Sequence, residues 1–221
     1  MDSPAATDRR VTLTFDNGPD VEATPAVLDV LARRRVAATF FVVGERLADR
    51  ALRRLAERAH AEGHWIGNHS MTHATPLGEE PGAAAAAREI EGAQRALGAL
   101  AHPDRLFRPF GGGGNLDARL LSADAVRLLQ EGGFTCVLWN AVPRDWEDAE
   151  GWPDRAFDQV RAQPWTNLVL HDIAGGAMAG LDGFLGRLAD EGATFRHDFP
   201  PATVPIVRGK VMGSLEGLVA A

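Results

Sequence analysis

The chain of 221 residues is poor in cysteine and lacks tyrosine altogether. Its one cysteine, Cys136, excludes a framework of intrachain disulfides. Because Cys136 lies in the apolar run 136–139, we expect a buried thiol of the core rather than a nucleophile. No segment reaches the roughly 20 apolar residues that a transmembrane helix needs, so the sequence predicts no membrane span.

Positive charge is also in deficit, since 23 Lys and Arg stand against 30 Asp and Glu and give a net charge of -7. A surface of this sign repels phosphate backbones and anionic lipids, so we expect neither a nucleic-acid nor a membrane partner. The first ten residues are polar and do not resemble a secretory signal. This predicts a cytoplasmic protein, with a secreted chain that has lost its signal as the alternative.

Hydrophobic residues make up 45% of the chain, which favours a globular fold with its own core. No linker-like stretch divides it, so we expect a single domain over residues 1–221, with no structure assigned to the tail 198–221. Strands and helices alternate along the rest. The β-prone runs are residues 11–15, 38–43, 65–68, 106–110, 135–139, 168–171 and 194–197. The helical windows are residues 24–35, 46–62, 83–100, 118–131, 153–162 and 178–191.

This alternation predicts the fold class. A series of strand and helix favours parallel strands joined by right-handed crossovers. Seven such units fit an α/β fold of the distorted (β/α)7 barrel type, with an open doubly wound sheet as the alternative. In either fold the active site lies at the carboxyl ends of the strands.

Polar side chains collect at those strand ends. They are Asp16, Asn17, His69, His73, Arg108, Asp145, His171 and Asp172. His69 and His73 are four residues apart, so on a helical turn both imidazoles face the same way, which suits a divalent metal. Asp16 or Asn17 can offer a third, oxygen ligand from another strand end.

Most of these residues also have a structural interpretation. Asp16 and Asp172 could each cap a turn. His171 follows apolar residues and could be a core histidine, Arg108 could be a surface arginine, and paired histidines in a polar loop often face solvent. The concentration of all of them at predicted strand ends favours a catalytic site over separate explanations.

Five segments resemble the motifs of the NodB-homology polysaccharide deacetylases, or carbohydrate esterase family 4. They are TFDNGPD at 14–20, EGHWIGNHSMTH at 62–73, FRPFG at 107–111, DW at 145–146 and LVLHD at 168–172. They occur in the order that the family shows. The first, second and fifth are specific, whereas the third and fourth are weak alone. The resemblance implies a distorted barrel and a hydrolase that removes an N-acyl group from an amide nitrogen.

The resemblance also implies catalytic roles at the matching positions. Asp16 would be the general base, and Arg108 would hold it in place. His171 would be the general acid that protonates the leaving amine, with Asp145 orienting it. These roles suit amide hydrolysis, which needs an activated water, a stabilised oxyanion and a proton for a poor leaving group.

The remaining implied positions bind metal and substrate. His69 and His73 would be metal ligands, the backbone N–H of Phe110 would help to form an oxyanion hole, and Trp146 would contact the substrate. Asn17 departs from the family, which has Asp as the third ligand. Because an amide oxygen coordinates more weakly than a carboxylate, we expect a weakly bound divalent metal, zinc in the first place, with cobalt or nickel as alternatives.

Two further departures concern aromatic residues. Phe110 stands where the family usually has tyrosine, which costs little if only the backbone donates. Trp65 replaces a position that is often acidic, and we expect it to reshape the pocket.

Three functions are compatible with these motifs. The leading prediction is a metal-dependent hydrolase that removes an N-acyl group, typically N-acetyl, from an amino sugar, an oligosaccharide or a small amide. The second is a metal-independent amide hydrolase of the same fold, resembling the allantoinase-like branch of the superfamily. The third is a non-catalytic carbohydrate-binding relative. A base and an acid in the motifs argue against the third, because binding alone requires neither.

Overall fold

The computed structural model of the chain describes residues 9–220, which form one curled sheet covered by helices. The strands in this range are β1 (Arg10–Asp16), β2 (Thr39–Val42), β3 (Trp65–Asn68), β4 (Leu106–Phe107), β5 (Thr135–Cys136), β6 (Trp165–His171), β7 (Thr194–Arg196), β8 (Ile206–Val207) and β9 (Lys210–Val211). The α-helices are α1 (Ala23–Arg34), α2 (Arg50–Ala61), α3 (Ala83–Ala86), α4 (Gly92–Leu97), α5 (Ala123–Glu131), α6 (Trp152–Arg161) and α7 (Leu181–Asp190). A π-helical turn (Ala87–Glu91) joins α3 to α4.

The sheet has the order β6-β1-β2-β3-β4-β5-β8-β9, and β7 also pairs with β1. Strands β1 to β7 pair in parallel, as the alternation of strand and helix predicts. Ala141, which follows β5, forms a parallel bridge with Leu168 of β6, so the sheet curls back on itself. The fold is therefore the distorted (β/α)7 barrel rather than an open doubly wound sheet.

Part of the tail 198–221, for which the sequence predicted no structure, extends the sheet. Ile206 of β8 pairs antiparallel with Cys136 of β5, and β9 forms a hairpin with β8. Near the end of the chain, the N–H of Leu121 donates to the carbonyl of Leu218. The two-residue strands of this hairpin are too short to give the alternating pattern by which a strand is recognised in a sequence.

The register of β1 and β6 places two functional groups side by side. Both strands are seven residues long, and Asp16 is the partner of His171 at their carboxyl ends. Val11, Leu13 and Phe15 point from β1 into the main core, so Asp16 belongs to the opposite face, because side chains alternate along a strand. Register partners in neighbouring strands share a face, and the two side chains therefore lie at one end of the barrel.

The core consists of one main cluster, a second cluster near β5 and a small third one formed by Phe41, Leu106 and Val137. Helices α1, α6 and α7 cover the first cluster with residues such as Leu31, Phe157 and Leu185. Cys136 is fully buried in the second, and burial raises the pKa of its thiol to about 12. The expectation of a core cysteine is confirmed, because a thiol that stays protonated is not a nucleophile.

Several predicted elements are shorter or broken. Strand β4 ends at Phe107 rather than 110, since Pro109 has no N–H to donate to a neighbouring strand. The helix expected over 83–100 is divided by the π-helical turn and ends near Gly98, which has φ 55°. Thr24, the first residue of the predicted window 24–35, lies inside α1, and Asp20 accepts from the N–H groups of Glu22 and Ala23 at the start of the helix. Within residues 9–220 no helix combines the length and apolar character needed to cross a bilayer.

Candidate active site

Most of the polar residues predicted at strand ends meet in, or directly behind, one pocket of about 280 Å³ at the carboxyl end of the barrel. Its lining contains Asp16, Asn17, His69, His73, Phe110, Trp146 and His171. Arg108 and Asp145 lie directly behind it, in contact with Asp16 and His171. The predicted convergence of these residues is thereby confirmed.

Asp16 is held by a buried arginine. The guanidinium of Arg108 is fully buried and donates to Asp16 Oδ1 at 2.8 Å and to Thr14 Oγ1 at 2.6 Å. Its other nitrogens donate to the carbonyls of Val137 and Leu138. Burial alone would raise the pKa of Asp16, but the positive charge of Arg108 prevails and holds that pKa below its usual value. Asp16 is therefore a carboxylate at neutral pH, and the predicted pairing is confirmed.

His69 has a defined tautomer. Its Nδ1 lies 2.9 Å from the carbonyl oxygen of Arg108, and because a carbonyl only accepts, Nδ1 carries the proton. The lone pair is thus on Nε2, which lies 3.6 Å from Asp16 Oδ2. Burial lowers the pKa of His69, so the ring is neutral and its Nε2 is available as a ligand.

His73 reaches the pocket through an unusual backbone. The expectation of a helical turn is wrong, because the segment after β3 has no helix and both Ser70 and His73 have positive φ, at 64° and 53°. These left-handed residues turn the ring of His73 to within 4.8 Å of that of His69. Burial lowers the pKa of His73 to about 3, so this imidazole is also neutral. The spacing of four residues identifies the pair but not the turn that brings it together.

Asn17 supplies a polar atom without a partner. Its φ of 71° is a conformation that asparagine tolerates, and its Oδ1 is buried without any hydrogen bond within residues 9–220. No group of three His, Cys, Asp or Glu able to hold a metal occurs in the same range. Two neutral imidazoles and one unpartnered amide oxygen nevertheless fit a divalent metal, because borderline cations accept nitrogen and oxygen ligands.

His171 differs from His69 and His73, because its surroundings favour the protonated ring. Its Nδ1 lies 2.8 Å from Asp145 Oδ1, and its backbone N–H donates to Asp145 Oδ2 at 2.9 Å. Burial would lower the pKa of His171, but the hydrogen bond and charge of Asp145, helped by Asp16, raise it. Trp146 packs edge to face against this ring and is 38% exposed, which makes it the aromatic rim of the pocket.

The remaining wall comes from the segment after β4. The ring of Phe110 lies 3.9 Å from that of His73, and its backbone N–H makes no hydrogen bond to any described residue. Gly111 approaches Trp139 so closely that a Cβ would lie 2.7 Å from the indole. A free N–H on a residue that lines the pocket is the kind of donor that an oxyanion hole requires.

Trp65 does not belong to the pocket, so the expectation that it reshapes the pocket is wrong. It is the first residue of β3 and stacks on His197 at 3.8 Å, at the opposite end of the strand from His69. The prediction failed because it was made from position in a motif rather than from position along the strand.

Asp172 has contacts that sequence reasoning did not foresee. It is buried, its Oδ2 accepts from Thr24 Oγ1 at 2.5 Å, and burial raises its pKa to about 7. Gly18 lies against it so closely that a Cβ would collide with the carboxylate. Asp172 thus supports the turn that carries Asn17 instead of capping its own turn. In the sequence, the only sign of a role for Asp172 was its position next to His171.

The comparisons with known proteins agree with this geometry. The family model "Polysaccharide deacetylase" matches residues 3–129. A chitooligosaccharide deacetylase from Bradyrhizobium is 37% identical over 169 residues, covering 74% of this chain and 71% of that protein. The peptidoglycan-N-acetylglucosamine deacetylase PgdA of Listeria monocytogenes is 29% identical and covers 86% of this chain but 38% of its own.

A solved structure shares the fold. The family 4 acetyl xylan esterase from Clostridium thermocellum, solved in complex with a cobalt ion, superimposes with a TM-score of 0.69 at 26% identity, covering 85% of this chain and 87% of that one. The curled sheet, the five motifs and these relatives lead to one assignment. The chain belongs to the polysaccharide deacetylase family and is an N-deacetylase, a hydrolase of carbon–nitrogen bonds other than peptide bonds.

Proposed function

We propose that this chain is a metal-dependent deacetylase that removes the N-acetyl group from an amino sugar, with an oligosaccharide as the preferred form of substrate. The observation that carries the proposal is the pairing of Asp16 and His171 on neighbouring strands beside two neutral histidines. A base on one side of a scissile amide and an acid on the other are what hydrolysis of that bond requires.

The metal would be held by His69, His73 and Asn17, with zinc as the first candidate and cobalt or nickel as alternatives. When bound, a divalent ion polarises the acyl carbonyl and lowers the pKa of a water molecule. The unpartnered Oδ1 of Asn17 supports this set of ligands. Because that oxygen is neutral, the affinity is expected to be lower than with a carboxylate in its place.

The protein side chains divide the proton transfers between them. The carboxylate of Asp16, kept ionised by Arg108, takes a proton from the attacking water. The developing oxyanion accepts a hydrogen bond from the free N–H of Phe110. His171 donates the proton of Nε2 to the leaving nitrogen, while Asp145 keeps the ring protonated and oriented through Nδ1.

The shape of the pocket supports a sugar ring with an attached acyl group. Its volume of about 280 Å³ is close to the lower end of small-molecule pockets, roughly 300–1,000 Å³. Trp139 and Trp146 give it aromatic walls, and Trp146 is accessible from solvent. The named relatives act on chitooligosaccharide and on N-acetylglucosamine of peptidoglycan, and we extend the same class of N-acetylated carbohydrate to this chain.

Acetate release tests the proposal. Metal-free protein and protein titrated with zinc, cobalt or nickel are each given chitooligosaccharides, peptidoglycan fragments and small N-acyl amines. We expect acetate from an N-acetylated sugar only in the metal-loaded samples. Undiminished turnover by metal-free protein would instead favour the metal-independent, allantoinase-like amide hydrolase, for which the neutral Asn17 is the supporting observation.

A further inference from the structure

The loop that carries the histidine pair is strained and needs external support. Between His69 and His73 it contains no regular structure, and Ser70 and His73 are both in the left-handed region. Residues with a side chain persist in this region only when their surroundings fix them. The contacts of the loop therefore determine whether the ring of His73 stays beside that of His69.

One side of the loop is fixed by the segment after β2. The carbonyl of Ser70 accepts from the N–H of Gly44, and the carbonyl of Met71 accepts from the N–H of Glu45, both at 2.9 Å. The Met71 side chain fills the space beside Gly44, where a Cβ would lie 2.8 Å from its sulfur. These contacts use the carbonyl groups of the loop and leave its N–H groups to be satisfied elsewhere.

The other side is fixed by a single carboxylate. Glu89 is only 3% exposed, and its Oε2 accepts from the N–H of Met71 at 3.1 Å and from the N–H of Thr72 at 2.9 Å. The hydroxyl of Thr72 also donates to Glu89, at 3.1 Å. On the outer side, Arg88 pairs with Oε1 of the same carboxylate. Each of these contacts either joins Glu89 to the loop or, in the case of Arg88, neutralises the negative charge of Glu89.

Ile90, the residue after Glu89, helps to fix the start of the loop through Asn68. The side-chain nitrogen of Asn68 donates to the carbonyl of Ile90 at 2.8 Å, and its oxygen accepts from the N–H of Ser70 at 3.0 Å. Glu89 and Ile90 are consecutive residues of the π-helical turn that interrupts the helix. π-Helical turns of this kind occur frequently at functional sites.

We infer that Glu89 is a positioning residue for the histidine pair, because its buried carboxylate fixes the backbone of Met71 and Thr72 and thereby the place of His73. The inference rests on the metal site of the proposed function, since the purpose of the fixed geometry is to present both rings to one ion. Glu89 touches neither histidine and takes no part in proton transfer.

Two substitutions and one control test this role. Glu89→Met keeps the length of the side chain but leaves both loop N–H groups without an acceptor, so we expect zinc affinity in calorimetry to fall about ten- to a hundredfold. Glu89→Gln retains one acceptor oxygen, so its affinity is expected to fall by less than about fivefold. Glu91→Gln removes an exposed negative charge from the same turn and should bind zinc like the unaltered protein.

Two further measurements distinguish a failure of this inference from a failure of the proposed function. They are the visible absorption of the cobalt-loaded protein and the amide hydrogen exchange of the metal-free protein. The visible spectrum of the cobalt-loaded protein should change in Glu89→Met and stay unchanged in Glu91→Gln, since it reports the arrangement of the ligands. In metal-free, unaltered protein, the N–H groups of Met71 and Thr72 should exchange slowly with solvent. In Glu89→Gln they should exchange faster, because a neutral amide oxygen accepts more weakly than a carboxylate.

Each result decides one claim. Protein that binds no metal would overturn the metal site of the proposed function, while slow exchange at Met71 and Thr72 would still support the hold that Glu89 exerts. Fast exchange in the unaltered protein, or normal zinc affinity and cobalt spectrum in Glu89→Met, would overturn the inference. If Glu89→Met does not fold, exchange in Glu89→Gln decides, and rates equal to those of the unaltered protein would count against the role.

Discussion

Histidine residues cluster at both ends of the barrel, but the two clusters differ in their surroundings. His69, His73 and His171 lie at the carboxyl ends of the strands. At the other end, Trp65 contacts His102 and His197, and His64 lies next to it in the chain. Burial lowers the pKa of His64 to about 4, much as it lowers that of His73 to about 3. A perturbed pKa therefore does not distinguish the two groups.

The difference is in what the histidine rings face. His64 Nδ1 accepts from the N–H of Ala38, and His197 Nε2 donates to the carbonyl of the same residue. Both rings therefore bond the backbone of Ala38, immediately before β2. The active-site rings of His69 and His171 also bond through one nitrogen, to the carbonyl of Arg108 and to Asp145, but they line the pocket beside Asp16. A free nitrogen near a carboxylate identifies a site better than burial does.

The largest expected effect comes from removing the base or the acid. We expect Asp16→Asn and His171→Ala each to lower kcat by at least about a hundredfold, the usual contribution of general acid–base catalysis. His197→Ala, at the other end of the barrel, should lower the melting temperature but leave kcat nearly unchanged. Steady-state rates of acetate release with calorimetric melting check this, and near-native kcat in His171→Ala would remove that residue from the mechanism.

Removal of the metal should have the next largest effect. Chelated protein is expected to lose activity and to recover it on addition of zinc, whereas the histidines around Trp65 should contribute no affinity. Asn17→Asp should tighten zinc binding, because a carboxylate adds negative charge to the ligands. Zinc titration by calorimetry measures both changes. Equal affinity in the two proteins would show that Asn17 is only a turn residue.

The pH dependence of kcat tests the roles of Arg108 and Asp145, the charged partners of Asp16 and His171. The proposed mechanism requires Asp16 ionised and His171 protonated, so activity should fall on the acidic side as Asp16 gains its proton and on the alkaline side as His171 loses its own. Arg108→Ala removes a positive charge, raises the pKa of Asp16 and should move the acidic limb to higher pH. Asp145→Asn should lower the pKa of His171 and move the alkaline limb to lower pH. An acidic limb that stays in place in Arg108→Ala would contradict the pairing.

The smallest effect is expected at the structural histidines. Because the folded pKa of His64 is about 4 and its ordinary value is 6.5, the unfolded chain binds more protons between these pH values. The free energy of unfolding should therefore decrease as the pH falls from 6.5 towards 4. His64→Asn, which keeps an acceptor oxygen for Ala38, should flatten this dependence in denaturant titrations without altering kcat. An unchanged slope would show that His64 is not its source.

The sequence predicts most of the site because its key residues occupy strand ends. Asp16 and His171 each follow an apolar run whose length defines a strand, and parallel pairing then brings the ends together. Arg108 was recognisable as a charged residue within such a run. The strand-end positions of these three residues follow from alternation and topology, whereas the choice of a barrel over an open sheet and the proposed roles of base and acid came from the resemblance to the family.

What the sequence leaves open depends on long-range contacts and on backbone conformations that no short pattern encodes. Glu89 lies in an alanine-rich helical window, where an acidic residue is usually a solvated one, and its carboxylate contacts a loop that ends sixteen residues earlier in the chain. The positive φ of Ser70 and His73 is equally hidden, since neither residue is a glycine or asparagine. Trp65 misled for a related reason, because proximity in a motif is not proximity in space.

The pairing of Asp16 with His171 on adjacent strands has a consequence for how new specificities could arise. Neighbouring strands lie about 4.8 Å apart, a spacing that hydrogen bonds of the backbone enforce. The gap between proton acceptor and proton donor is therefore a property of the sheet and not of any connecting segment. Loops at the rim can lengthen, shorten or be exchanged between homologues while this gap is conserved, so the barrel can be adapted to new acylated sugars without having to rebuild its chemistry.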